Sequence, residues 1–178
     1  MKIHVTDIKE KPLQRVTEEA VEEFPSLVEM KEAAECDFLA PVRLEVTITR
    51  EYDHIRVQGQ VGTAVRLSCS RCLADYETDI SSAFTIFYTP TSGELLDEEI
   101  ELTEEDLVSA GYEGDEIDLA PVVAEQIIMA IPLKPLCKEE CLGLCSNCGA
   151  DLNVAPCECE RAAVNLKFSA LQNLKIEK

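Results

Sequence analysis

From Pro41 to Thr89 the chain alternates between hydrophobic and polar residues with a period of two, the pattern of strands that lay one face on a core. Val42, Leu44, Val46 and Ile48 fall on one side, while Arg43, Glu45, Thr47 and Thr49 fall on the other. Glu51, Tyr52 and Asp53 make a turn. The next strand sends Ile55, Val57, Val61, Val65 and Leu67 inward and leaves Arg56, Gln58, Gln60 and Arg66 outside. Gly59 and Gly62 predict a bulge or bend that curls this strand. A third strand runs from about Tyr76 to Tyr88 through Ile80, Phe84 and Ile86, which completes an antiparallel meander.

Helical spacing flanks this sheet. After a short strand at Met1–Val5, Thr17 opens a helical run through Ala20, Val21 and Phe24 and, past Pro25, Leu27 and Val28. Glu18, Glu19, Glu22 and Glu23 crowd its first turns, where acidic side chains meet the helix dipole favourably. Thr103 to Leu107 reads TEEDL, a capping-box-like start to a short helix. Asp118 is a good N-cap for a helix to about Ile131, with Pro121 in its first turn and Pro132 and Pro135 closing it. LAPVVAEQIIMAIPL carries only Glu125 and Gln126 as polar interruptions, so nearly every face seeks burial, and it is too short to span a bilayer. Asn165 caps a last short helix with Phe168, Leu171 and Leu174 on one side. The predicted class is α+β: an antiparallel, curled β-sheet with flanking helices over residues 1–135, then a cysteine-rich zinc-knuckle segment with its helix over 136–178.

Composition adds two constraints. The 178 residues are 46% hydrophobic, enough for one substantial core or two small ones. A formal charge of −19 opposes indiscriminate attraction to nucleic acid or anionic lipid. Twelve acidic residues and no Lys or Arg fall between Gly93 and Asp118, and without them the balance is −7. Any positive surface is therefore local.

The candidate chemistry is in the cysteines. Six of nine lie between Leu136 and Glu160: Cys137, Cys141, Cys145, Cys148, Cys157 and Cys159. Cys145 and Cys148 form a CxxC followed by Gly149, which lets two thiolates converge while the glycine turns amides toward the sulfurs. Cys157 and Cys159 supply a second pair, with Pro156 stiffening their approach. Cys69 and Cys72, in a hairpin-like connection, form another CxxC that needs two partners, and Cys137 with Cys141 are the two left over. Eight soft ligands divide into two tetrahedral zinc sites. Spacing alone also allows Cys137 or Cys141 to join the knuckle, the first CxxC to stay unmetallated, or iron in place of zinc. Cys36 has no neighbour and reads as an ordinary buried thiol.

Other readings are weaker. Met1 to Glu10 has no apolar signal-peptide core, so a cytoplasmic chain with reduced thiols is expected rather than a disulfide framework. His4 and His54 are the only histidines, and a catalytic zinc normally keeps an open position and often uses histidine or carboxylate. There is no phosphate-binding glycine loop, no HExxH and no GxSxG, and the deaminase pairing of HxE with PCxxC is missing. A non-enzymatic protein is expected.

The order DLAPVVAEQIIMAIPLKPLC, CLGLCSNCGADLN, CEC and the tail NLKFSALQNLK, with LSCSRCLADYE upstream, resembles the YceD family of large ribosomal RNA accumulation proteins. The resemblance implies a bacterial cytoplasmic factor for accumulation, processing or assembly of large-subunit ribosomal RNA, acting on that RNA or a pre-ribosomal particle. It also implies that metal supports the fold. The tail departs from the proline–arginine start expected of the family. Two functions compete. An RNA-binding factor would use the outward Arg43, Arg56 and Arg66 with Arg71 for phosphate contacts. A zinc-stabilised adaptor would instead hold a basic ribosomal protein on its acidic surface.

Overall fold

The computed structural model describes residues 1–9, 11–52, 54–91 and 108–159. Its contacts divide the chain into two compact units: residues 1–67 with 75–135, and residues 68–74 with 136–178. The TEEDL segment and the expected helix after Asn165 lie outside the described residues.

The first unit is built on the alternating strands. β4 (Val42–Glu51) and β5 (His54–Ser68) form an antiparallel hairpin that closes with Glu51 opposite His54 and Tyr52 at a φ of 41°. Val42, Leu44, Ile48, Val57, Val61 and Val65 are buried on one face, as the period of two requires. Each such residue contributes about 1.5–3 kcal/mol on burial. β2 (Leu13–Glu19) lies antiparallel on the other side of β4, and β6 (Asp75–Pro90) neighbours β5. β3 (Asp37–Phe38) pairs with the end of β5. The outermost strand, β7 (Ser109–Tyr112), runs parallel to β6, so the six-stranded sheet is not a pure antiparallel meander. A parallel neighbour needs a long crossover, and its four residues carry no alternation strong enough to announce it.

A separate two-stranded antiparallel sheet joins β1 (Lys2–His4) to β8 (Glu116–Asp118), with Ile3 opposite Ile117, both buried. Among the described residues two α-helices complete this unit. α1 (Pro25–Glu32) starts at the proline, not at Thr17. The preceding residues are drawn into β2 by seven successive pairings with β4, from Leu13 with Ile48 to Glu19 with Val42, so tertiary pairing overrides local helix preference. α2 (Ala120–Ala130) begins just after Asp118, whose carboxylate accepts the Ala120 amide at 3.0 Å. It buries Val123, Ala124 and Ile127 on one face and leaves Met129 77% exposed, so it is one-sided rather than buried all round. Gln126 accepts a hydrogen bond from Ser82 of β6 at 2.9 Å, joining helix to sheet.

Gly59 and Gly62 make no bulge in the β4–β5 ladder, which runs unbroken from Arg43–Gly62 to Glu51–His54. They are explained by close approach. A Cβ on Gly59 would stand 2.7 Å from a Val46 methyl and 2.8 Å from the Glu45 carbonyl oxygen, and one on Gly62 would stand 2.9 Å from the Ile80 carbonyl oxygen.

Candidate metal centres

The second unit draws on two parts of the sequence. Residues 69–74 turn the chain between β5 and β6: the Cys69 amide donates to the Ala74 carbonyl at 2.9 Å, and the Leu73 amide to the Cys69 carbonyl at 2.9 Å. The turn sets Leu73 at a φ of 60° and points the Arg71 amide at the Cys69 sulfur, 3.4 Å away. Residues 136–159 hold the other six cysteines. In the knuckle the Gly149 amide donates to the Cys145 carbonyl at 2.9 Å, and the Asn147 amide reaches the Cys145 sulfur at 3.5 Å. Gly149 needs its φ of 74°, which side chains rarely adopt, although space around it is open.

The sulfurs collect into two sets. Cys69 and Cys72 come together with Cys137 and Cys141; Cys145 and Cys148 come together with Cys157 and Cys159; within each set the ligand atoms lie within 4.8 Å of one another. In the first set Cys69 and Cys141 sulfurs are 3.8 Å apart and those of Cys72 and Cys137 are 3.6 Å apart. Four sulfurs held about 2.3 Å from one centre in a tetrahedron would be about 3.8 Å apart, whereas a disulfide needs about 2.05 Å. All nine cysteines are free thiols. Each tetrad therefore fits a metal ion, with the hairpin tetrad mostly buried and the knuckle tetrad more open at Cys148.

Amide donors favour a thiolate in each tetrad. Backbone donors from Cys137, Cys72 and Arg71 lower the Cys69 thiol to about 6, and those of Cys148 and Asn147 lower Cys145 to about 6. Burial, reinforced by the neighbouring thiols, pushes Cys137 up to about 12. A hydrogen bond with Cys148, followed by burial, pushes Cys159 up to about 11. At Cys72 the donation from the Ala74 amide is outweighed by burial together with the Cys69 and Cys141 thiols, so that thiol is also raised, while Cys141 is lowered, because an Asn153 amide and the Gly143 backbone outweigh its burial. Cys36 stands apart, 3% exposed and pushed to about 11 by burial, as suits an inert core thiol.

Three residues beyond the cysteines hold this unit together. The Arg71 guanidinium donates to the carbonyls of Cys141 at 2.8 Å and Glu139 at 3.4 Å, while its own carbonyl accepts the Leu144 amide at 3.0 Å. Gly143 is buried at a φ of 74°, and a Cβ there would meet the Arg71 carbonyl oxygen at 2.9 Å. Asn153 accepts the Leu142 amide at 2.9 Å and donates to the Cys141 sulfur at 3.4 Å. Sequence reasoning passed over Gly143 and Asn153. The one available signal was DLN after the knuckle, an Asp two positions before an Asn, the spacing of an Asx turn.

The other arginines proposed for RNA contact lie in the first unit, each ion-paired. Arg43 meets Glu45 at 2.7 Å, Arg56 meets Glu51 at 2.6 Å and Arg66 meets Glu77 at 2.8 Å. Arg56 and Arg66 are ten positions apart on β5, roughly 33 Å at about 3.3 Å per residue, and Arg43 pairs with Gly62 between them. The three are not gathered into one cluster. On this same face lies a groove of about 510 Å³ lined by Glu18, Arg43, Glu45, Gln60, Gly62 and Asp79 among others. Both histidines lie beside carboxylates: His4 is 3.6 Å from Glu116, and His54, 3.3 Å from Glu51, sets its ring edge to face with Phe87. Among the described residues no helix is long and apolar enough to cross a membrane.

These features define an α+β sheet protein with a cysteine unit able to hold two metal ions. The profile of the large ribosomal RNA subunit accumulation protein YceD matches residues 57–175, and the chain belongs to that family. It is 28% identical over 156 residues to the chloroplastic large ribosomal RNA subunit accumulation protein YCED homolog 1 of Arabidopsis thaliana, covering 76% of this chain and 49% of that one. The corresponding homolog of Zea mays is 28% identical over 144 residues, or 67% of this chain and 49% of its own. The chain thus spans about half the length of these plant relatives. YlbN of Bacillus subtilis matches at 25% over 159 residues, which is 85% of this chain and 87% of YlbN. No solved structure gives a significant match.

Proposed function

We propose that the chain is a non-enzymatic factor supporting accumulation of large-subunit ribosomal RNA, through its processing or its assembly into a particle, and that two structural zinc ions hold its cysteine unit. The observation that carries this reading is the pair of four-sulfur sets, each with enough thiols to complete a tetrahedral shell, which would leave no position for substrate. Cys69, Cys72, Cys137 and Cys141 would hold one ion and Cys145, Cys148, Cys157 and Cys159 the other, with each site carrying a charge of about −2. Membership of the YceD family supports the ribosomal role, as do the names of the plant relatives. In a bacterial cell such a factor works in the cytoplasm, where ribosomes assemble. The test is depletion of the protein followed by measurement of large- against small-subunit ribosomal RNA. The expected result is a selective fall in the large-subunit species, rescued by the wild-type chain. An unchanged ratio would sink the ribosomal role.

Direct RNA binding through Arg43, Arg56, Arg66 and Arg71 competes with a second reading, an acidic adaptor for a basic ribosomal protein. The arrangement on the sheet favours the adaptor. Arg43, Arg56 and Arg66 are each committed to a carboxylate, and in the groove Glu18, Glu45 and Asp79 outnumber Arg43. Phosphate would have to displace those carboxylates, whereas a cationic side chain would meet them directly. Zinc-loaded protein titrated against large-subunit RNA and against basic ribosomal proteins separates the two. The adaptor reading expects Glu18→Gln with Asp79→Asn to weaken protein capture and leave any RNA affinity unchanged or higher. The RNA reading expects loss of the four arginines to weaken RNA binding and flatten its salt dependence.

A further inference from the structure

We propose that the two tetrads bind metal cooperatively, with Asn153 as the residue that couples them; the inference rests on the two-zinc reading above. Asn153 belongs by sequence to the knuckle tetrad, because it lies in the loop from Cys148 to Cys157. Its side chain, however, serves the hairpin tetrad. The Nδ2 group donates to the Cys141 sulfur at 3.4 Å, while the side-chain oxygen accepts the amide of the next residue, Leu142, at 2.9 Å. One amide group thus fixes both the sulfur of a hairpin-tetrad ligand and the backbone just beyond it.

The loop that presents Asn153 is anchored at the knuckle. The Cys145 amide donates to the Ala150 carbonyl at 2.8 Å, and Leu144 and Asp151 form an antiparallel bridge. The Leu152 amide donates to the Gly143 carbonyl at 2.9 Å. Asp151 then accepts both the backbone amide of Asn153, at 2.9 Å, and its Nδ2, at 2.7 Å, which sets the orientation of the side-chain amide. Metal at the knuckle tetrad clamps both ends of this loop, at Cys148 and at Cys157. Asn153 then meets Cys141 already positioned, and the hairpin tetrad no longer has to order its own donor. Coupling between two equilibria is reciprocal, so metal at the hairpin tetrad strengthens the knuckle tetrad by the same factor.

The test titrates metal-free full-length protein with cobalt(II), which reports four-thiolate coordination by its absorption, and then with zinc against a chelator. Four proteins are compared: wild type, Asn153→Ala, Cys145→Ser with Cys148→Ser, and the combination of all three changes. Outer-shell changes of this kind lower metal affinity about 10–100-fold. Asn153→Ala is expected to keep two metal equivalents but lower the hairpin-tetrad affinity about tenfold. The double cysteine variant is expected to lower the same affinity by a similar factor, and the combination to lower it no further than either alone. An unchanged hairpin-tetrad affinity in the double cysteine variant overturns the coupling. Additive losses in the combination remove Asn153 as its carrier. Failure of the wild type to bind cobalt or zinc at all refutes the two-metal reading instead. Chelator-driven release from folded wild type and Asn153→Ala keeps the idea exposed if the cysteine variants do not fold. Because the coupling is reciprocal, Asn153→Ala should give up the knuckle ion as well as the hairpin ion at lower chelator concentration than wild type, and an unchanged knuckle ion would contradict the proposal.

Discussion

The Arg71 guanidinium donates to the Cys141 carbonyl at 2.8 Å, tying the middle of the first CxxC to a cysteine 70 positions further along the chain. The same residue's amide donates to the Cys69 sulfur and its carbonyl accepts the Leu144 amide, so Arg71 secures the hairpin tetrad from three of its own groups. Replacing it with glutamine removes the guanidinium contacts only. Because the side chain is exposed, the loss in stability should be modest, about 1 kcal/mol. Zinc release from the hairpin tetrad should nevertheless accelerate about tenfold or more. Release kinetics with a chromogenic chelator measure this, and an unchanged rate would leave Arg71 available for a role in binding a partner.

Metal content is the most direct check. Anaerobically purified protein should carry about two zinc ions. About one would leave a single occupied tetrad, and less than roughly half an equivalent of any metal would count against the scheme.

Metal uptake should depend steeply on pH, and the sign follows from the thiols. Cys69 and Cys145, lowered to about 6, are already thiolates near neutrality, while Cys137 and Cys159, raised to about 12 and about 11, still hold protons. Metal must displace those protons and the one on Cys72, whose thiol is also raised, so loading both sites near pH 7.5 should release roughly three or more protons. Apparent affinity should climb with pH and collapse as the pH falls through about 6, where Cys69 and Cys145 protonate as well. Without metal, the stability contributed by those two lowered thiols is present above their unfolded value near 9 and is lost as the pH falls through about 6. Titration in weak buffer with a pH indicator counts the protons.

Gly143 and Gly149 share a φ of 74° but differ in surroundings. Alanine at Gly149 should cost about 1–2 kcal/mol, from the left-handed backbone alone. At Gly143 the Arg71 carbonyl lies 2.9 Å from the added carbon, so alanine there should cost more, about 2–4 kcal/mol, and should expose the hairpin tetrad to chelators. Equal effects at the two positions would show that backbone strain alone decides both.

Amide exchange separates local from long-range metal sites. Cys145→Ser with Cys148→Ser should speed exchange mainly across residues 145–159, whereas Cys69→Ser with Cys72→Ser should speed it around both the 69–74 turn and Cys137. Exchange confined to the turn would contradict the grouping of these four cysteines.

Legibility in the sequence followed the strength of each periodic signal. The inward set from Val42 to Leu67 was readable because a buried sheet face allows only one register, and a one-residue slip would expose every valine. The segment from Thr17 was misread because its glutamates fit a helix start equally well, and only the pairing with β4 decides for strand. β7 and β8 are four and three residues long, too short for a period to show. The cysteine groups were readable by count and spacing. Arg71, Gly143 and Asn153 act on their carbonyl, amide and sulfur partners through folded geometry, and no spacing rule announces such contacts.

Metal at the hairpin tetrad, as proposed, would also set an order of events in folding. The knuckle tetrad spans residues 145–159 and forms from one short piece of chain, while the hairpin tetrad joins Cys69 to Cys141 across 72 positions. Each doubling of the enclosed chain adds only about 0.6 kcal/mol to closure, so both sites are thermodynamically accessible. Their contact orders, however, are far apart, and non-local closure is the slow kind. During synthesis Cys69 and Cys72 emerge as an unfinished half-site and wait for more than sixty further residues before Cys137 can join them. Through that interval two exposed thiols stand open to oxidants and stray metal, so the rate at which the ribosome delivers the rest of the chain bears on whether the site assembles correctly.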